Sequence, residues 1–208
     1  MQQHTEEWHQ ARCGKLTASR IYDATAKTAR SSTGYTAARE NYKAELICER
    51  LTGQPYGSFE PPAMRHGTDP EPQARAAYII ETGNDVTETG YIPHPAIADS
   101  GASPDGLVGE DGLIEIKCPN TTTHLAFHLS FIRSGRPKPQ YLAQMQWQMA
   151  CTGRQWCDFV SYDPRLPEHL AIRIKRIERD SDTIARLETE AQKFLAEVAA
   201  ETQYLQSL

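Results

Sequence analysis

Ser103-Pro104-Asp105-Gly106-Leu107-Val108-Gly109-Glu110-Asp111-Gly112-Leu113-Ile114-Glu115-Ile116-Lys117-Cys118 reads as a β-hairpin: two apolar runs flank a Gly-Glu-Asp-Gly loop. Side chains alternate along a strand, so Ile114 and Ile116 face one side while Glu115 and Lys117 face the other. A two-residue Asp111-Gly112 turn puts Asp105 on the wrong face. A three-residue Glu110-Asp111-Gly112 loop with a left-handed Gly112 puts Asp105 opposite Lys117, on the face of Glu115, and this register is expected. Two carboxylates and a lysine then share one strand end. Carboxylate oxygens suit Mg²⁺, the metal polarises a phosphate, and a lysine with its pKa lowered by nearby cations helps to activate water. The plainer reading of the same residues is a Glu–Lys pair on an exposed sheet face, since Glu-x-Lys is a common pattern.

Outward from the hairpin, the pattern is helical before and after, with strands between. Thr17-Ala18-Ser19 caps a short helix through Ala26. A second helix runs from Thr36 to Leu51 and ends at Gly53, and the stretch 53–63 is a loop. Asp69-Pro70 opens a third, to about Glu81, stopped by Gly83. Strands follow at Val86–Ile92, Ala102–Val108 and Leu113–Cys118, then helices at about Thr122–Ile132 and Pro139–Cys151. Strands at Trp156–Tyr162 and Leu170–Ile177 precede an amphipathic helix from Ser181 to Leu205. The expected fold is α/β, a central mixed sheet flanked by helices, in a single domain over residues 1–208.

Composition narrows the class. With 39% hydrophobic and 24% charged residues, the chain is unlike collagen, disordered tails or disulfide scaffolds. No apolar run is long enough to cross a bilayer and the first residues carry no signal pattern, so a cytoplasmic protein is expected. The five cysteines are scattered without a Cys-x-x-Cys pair, which fits reduced thiols and not a zinc or iron–sulfur centre. The net charge of −5 is unevenly spread. Residues 51–115 carry 11 acidic and 2 basic side chains, and residues 116–157 carry 5 basic and no acidic ones. Either this is ordinary fluctuation, or acidic residues gather cations while basic walls face phosphates.

Pro104-Asp105 with Glu115-Ile116-Lys117 resembles the signature of the PD-(D/E)XK nucleases. The chain is more closely similar to the lambda-type (YqaJ-like) phage recombination exonucleases of that superfamily. The similar blocks are Trp8-His9-Gln10-Ala11-Arg12, Leu16-Thr17-Ala18-Ser19, Gly67 with Glu71, Ser103 to Leu107, Glu115 to Pro119, Tyr141 to Gln146 and Tyr162-Asp163-Pro164-Arg165. They cover Trp8 to Arg165 in the family's order; the C-terminal helix carries no such block.

That resemblance implies a restriction-endonuclease-like core and a 5′→3′ exonuclease. It would digest one strand of linear double-stranded DNA to mononucleotides and leave a 3′ tail for single-strand annealing. It implies Asp105, Glu115 and the backbone carbonyl of Ile116 as metal ligands, Glu71 for a second ion, and Lys117 as catalytic lysine. Tyr141 and Gln144 line the site, Arg12, Ser19 and Ser103 hold the 5′-phosphate, and Met64 helps to separate the strands. The implied cofactor is Mg²⁺, two ions, with Mn²⁺ as substitute. The implied partners are DNA ends, a single-strand annealing protein and two further copies in a homotrimeric ring, in a phage or prophage setting. Pro70 and Pro72 flank Glu71, which implies that its helix starts later and puts the second ion's geometry in question. Thr123 replaces a basic residue of some relatives, for which Arg133, Arg136 or Lys138 can compensate. The rival readings are a related endonuclease and a non-catalytic DNA-binding or assembly protein of the same fold.

Two other patterns bear on the site. His124 and His128 are spaced as in a zinc-protease helix, but Leu125 stands where the general-base glutamate belongs, so a helix face touching DNA is expected. Tyr141, Gln144 and Gln148 share one helical face, readable as a polar core stripe without the resemblance.

Overall fold

The computed structural model describes residues 2–57, 70–134 and 137–208, with the backbone alone for 131–134. In chain order the helices are α1 (Glu6–Arg12), α2 (Ile21–Thr25), α3 (Ala37–Thr52), α4 (Glu71–Thr82), α5 (Thr121–Ser134), α6 (Pro139–Thr152), α7 (Glu168–Ala171) and α8 (Ser181–Gln206). The strands are β1 (Leu16–Thr17), β2 (Val86–Thr87), β3 (Ile92–Pro93), β4 (Ser100–Ala102), β5 (Gly106–Val108), β6 (Gly112–Lys117), β7 (Trp156–Tyr162) and β8 (Ile172–Glu178). They form a five-stranded mixed sheet in the order β2-β5-β6-β7-β8 and a three-stranded sheet in the order β1-β4-β3.

Burial explains the layers. Ile114 and Ile116 on β6 pack with Val108, Val160, Ala74 and Tyr78, so α4 covers one face of the large sheet. Leu113, Phe159 and Cys157 pack with Met145 and Met149 on the other face, which α6 covers. The far side of α6, through Ala143, Trp147 and Cys151, meets α2, α3 and α8. Residues Ala143 to Cys151 are therefore all buried, and α6 is the hub between sheet and helices.

The hairpin differs from expectation in one respect. Gly106 pairs with Ile114, Leu107 with Leu113 and Val108 with Gly112. The loop is thus Gly109-Glu110-Asp111, with Gly109 left-handed at φ +53°, instead of Glu110-Asp111-Gly112. Continuing that register sets Asp105 across from Glu115, not Lys117. The loop still has three residues, so Asp105 keeps the expected face. Trp156 explains the choice: its ring lies against the Cα of Gly112, which acts as a strand residue because only a missing side chain leaves room for the indole.

Two expected strands are each split. Val86–Ile92 becomes β2 and β3, and Ala102–Val108 becomes β4 and β5, in different sheets. The second crossover runs through Ser103-Pro104-Asp105, where Pro104 has no N–H to offer a ladder. The helix expected from Ser19 is a three-residue 3₁₀ turn, Ala18–Arg20, followed by the five-residue α2. By contrast, α4 begins at Glu71 itself, not after it. Pro70 is its N-cap and Pro72 sits in the first turn, where a missing N–H costs nothing.

Candidate active site

Asp105, Glu115 and Lys117 meet where the two sheets part. Glu115 is completely buried on the α6 side of β6, between Leu113 and Lys117. Its Oε1 accepts hydrogen bonds from Lys117 Nζ and from Gln144 Nε2, the latter at 2.6 Å. Its Oε2 accepts from Gln148 Nε2, also at 2.6 Å. Asp105 Oδ2 accepts from the backbone N–H of Ile116 at 2.6 Å.

The electrostatics follow from this crowding. Burial pushes the Asp105 carboxyl well above the usual carboxylate range, and the charges of Glu115 and Glu71 push the same way. Burial acts to lower the Lys117 pKa, but the charges of Glu115 and Asp105 outweigh it and raise the ammonium above its ordinary value. Lys117 is thus an ammonium partner to Glu115.

Glu71 lies at the edge of this group. Its Oε1 accepts from Arg75 Nη2 at 2.7 Å, one helical turn along α4. Arg75 also reaches Glu88 at 2.5 Å and the carbonyl of Asp105 at 3.5 Å. Glu71, Arg75 and Asp105 line a cavity of about 230 Å³ with Gln3 and His4. Among the described residues, no three His, Cys, Asp or Glu side chains converge closely enough to hold a metal ion. Asp105 and Glu115 are brought together, and Glu71 is held beside them by Arg75. Arg75 went unread in the sequence, although its place four residues after Glu71 on one helix face was visible.

Two of the three residues expected at a 5′-phosphate, Arg12 and Ser103, are linked through Trp8, the buried residue of α1. Trp8 Nε1 donates to Ser103 Oγ at 3.0 Å. The Arg12 guanidinium stacks over the same ring, 3.8 Å from its centre. Arg12 Nε is buried with no hydrogen-bond partner among the described residues, and burial lowers the guanidinium pKa. Arg12, Lys15 and Thr17 line a cavity of about 180 Å³ whose acids are Glu45 and Glu49. Glu45 is held by Arg20 and Glu49 by the N–H groups of Gly14 and Tyr56. Ser19 is exposed, inside the 3₁₀ turn, and its hydroxyl is 3.4 Å from that of Thr17. It caps no helix, and a helix as short as α2 offers little dipole.

Tyr141 stacks on Phe159 at 5.3 Å, with Lys117 Nζ 5.7 Å from its ring centre. The His124 expectation is overturned. His124 is completely buried, with Nδ1 2.7 Å from Ser161 Oγ and Nε2 2.8 Å from the carbonyl of Leu170, and His128 bonds to it at 2.9 Å. It joins α5 to β7 and touches no solvent. Met64 and Gly67, Arg136 and the side chain of Arg133 lie outside the described residues. Lys138 is exposed at the start of α6. Among the described residues no helix is long and apolar enough to cross a membrane.

Comparison with known proteins places this geometry. Residues 7–155 match the YqaJ-like viral recombinase domain. The fold is similar to the crystal structure of an alkaline exonuclease, LHK-Exo, from Laribacter hongkongensis. That similarity has a TM-score of 0.85 and 58% identity over 98% of this chain and 97% of the other. A structure of LHK-Exo in complex with dAMP matches equally well. A phage-related exonuclease from Haemophilus somnus shares the fold at a TM-score of 0.65 and 17% identity, over 90% of this chain and 96% of that one. No curated protein sequence matches.

Proposed function

Because the chain belongs to the YqaJ-like viral recombinase family, we propose that it is a DNA exonuclease that uses divalent metal ions. It digests one strand of linear duplex DNA in the 5′→3′ direction, starting at a 5′-phosphate. The observation that carries this reading is the convergence of Asp105, Glu115 and Lys117 beside the Trp8–Arg12–Ser103 group. A close relative in structure is an alkaline exonuclease, which supports the hydrolytic reading over a binding protein of the same fold.

The donor set fits Mg²⁺. Asp105, Glu115 and the Ile116 carbonyl are hard oxygens, and a bound cation would offset the burial and the neighbouring Glu115 and Glu71 charges that hold the Asp105 carboxyl high. Glu71, now paired with Arg75, would serve a second ion; Mn²⁺ can substitute. When bound, such ions polarise the scissile phosphate and lower the pKa of water. The chain's own residues do the rest. Lys117 brings a positive charge to the developing phosphorane, Gln144 and Tyr141 bound the site, and Arg12 with Ser103 and Ser19 fixes the terminal phosphate. Arg12 Nε is a buried donor without a partner, the kind of group a phosphate oxygen satisfies. Met64 is proposed to help part the strands. The biological reading is phage or prophage recombination: a 3′ tail passed to a single-strand annealing protein in the bacterial cytoplasm, by a ring of three copies.

The test is digestion of linear and closed-circular duplex with Mg²⁺, measured as acid-soluble nucleotide. Release from the linear form alone, abolished by EDTA and faster from 5′-phosphate than from 5′-hydroxyl ends, supports the reading. Release from neither form, or from both, rejects it. Arg12→Ala should erase the preference for phosphorylated ends, and light scattering giving a monomer mass at micromolar protein would reject the ring.

A further inference from the structure

Glu115 is more tightly held than its position in a strand requires. It is completely buried, and so is Gln148, one helical turn beyond Gln144 on α6. A carboxylate only accepts hydrogen bonds, so both glutamines must turn their NH₂ groups toward Glu115. That fixes the other end of Gln148: its Oε1 points to the thiol of Cys157 on β7, 4.0 Å away. The result is a directed chain, from the Cys157 S–H to Gln148 Oε1 and from Gln148 N–H to Glu115 Oε2.

Counting acceptor directions shows the consequence. A carboxylate has about four, two on each oxygen. Lys117 and Gln144 take both on Oε1, and Gln148 takes one on Oε2. One direction on Oε2 remains, and Gln148 decides which. Without its donor, rotation of the carboxylate about its last bond is opposed only by the two hydrogen bonds on Oε1, and Oε2 is free to turn from the direction a cation needs.

We infer that Gln148 is a positioning residue that fixes the Glu115 carboxylate for metal binding, an inference that rests on the metal-dependent reading above. Gln148 touches neither the metal nor DNA in this scheme; it acts through Glu115. Partners of this kind set the orientation of a metal ligand, and their loss typically weakens metal affinity by about 10–100-fold.

The experiment uses the full chain and two variants. Gln148→Met keeps length and removes the donor, and Gln148→Asn keeps an amide but falls a methylene short. Mn²⁺ binding without DNA is measured by calorimetry, with Glu115→Ala to identify the heat that belongs to this site. Thermal unfolding without metal and binding of 5′-phosphorylated duplex in EDTA are measured alongside. Both folded variants should lose about tenfold or more in Mn²⁺ affinity. They should need correspondingly more Mg²⁺ for half-maximal hydrolysis and bind duplex within twofold of wild type. If Gln148→Met does not fold, Gln148→Asn decides. Wild-type Mn²⁺ affinity in a folded variant overturns the role of Gln148 and leaves the metal-dependent reading intact. A wild type that binds no Mn²⁺ overturns both.

Discussion

Trp8 donates its indole N–H to the Ser103 hydroxyl at 3.0 Å while its ring lies under the Arg12 guanidinium. One side chain thus ties α1 to the segment that enters Asp105 two residues later. Gln3 adds a second tie, from its Nε2 to the carbonyl of Pro104 at 2.7 Å. In the proposed reading, a phosphate held at Arg12 and Ser103 would therefore be registered against the carboxylates by the fold itself.

Trp8→Phe keeps a ring under Arg12 but removes the donor to Ser103. A neutral hydrogen bond contributes roughly 0.5–1.5 kcal/mol, so the preference for 5′-phosphate over 5′-hydroxyl ends should fall about two- to tenfold. Digestion rates of the two duplexes measure it. An unchanged ratio would separate Ser103 from the phosphate.

Asp105→Ala, Glu115→Ala and Lys117→Ala should each remove at least ~100-fold of the cleavage rate, because each acts on charge that develops in the reaction. Duplex binding should persist, since it is spread over many phosphate contacts. Turnover near wild type in Lys117→Ala would displace the site from this strand end.

Much of this site was readable in the residues. The alternation of Ile114, Glu115, Ile116 and Lys117 fixed the faces, since a strand has no other periodicity. The two-residue shift in register was not readable, because it is set by the Trp156 ring against Gly112, a contact 44 positions apart in sequence. The splitting of the two strands between sheets was hidden for a similar reason, as pairing partners such as Leu16 and Ser100 are distant. On α6, burial on all sides removes the amphipathic stripe, so Gln144 and Gln148 look like any polar residues until Glu115 is placed between their amides. Arg75 has no signal of its own beyond Glu71, because its other partners, Glu88 and the Asp105 carbonyl, lie in loops distant in sequence.

Gly112→Ala tests the hairpin. An added Cβ would sit 2.1 Å from the Trp156 ring, which is itself covered by Arg176 at 3.5 Å. A ring pinned on both sides cannot yield cheaply, so the substitution should cost about 1–3 kcal/mol. At this chain length that corresponds to roughly 2–12 °C in Tm. Calorimetry checks it, and an unchanged midpoint would mean that the hairpin pairs in another register.

The last prediction concerns the seam between α3 and α8. The buried Arg39 guanidinium makes two hydrogen bonds of 2.8 Å to the carboxylate of Glu197. Those bonds hold the Glu197 carboxyl below its usual range, with burial opposing and Lys43 assisting. Glu197→Gln leaves the guanidinium with the Ala24 carbonyl and Glu40. Orphaning a buried charge costs ~3–5 kcal/mol, but the Glu197 side chain is 38% exposed and water screens the pair, so a loss of about 1–3 kcal/mol is expected at neutral pH. The sign of the pH dependence follows from the direction of the shift. A carboxyl whose pKa is lower in the folded than in the unfolded chain contributes its full stability above the unfolded value, about 4.3. That contribution is lost as pH falls through the lower, folded value. The gap in Tm between wild type and Glu197→Gln should therefore be constant from neutral pH down to about 5 and close below about 4. Thermal unfolding followed by circular dichroism across that range measures it. A gap that persists at the acid end would assign the loss to packing at the seam and not to the ion pair.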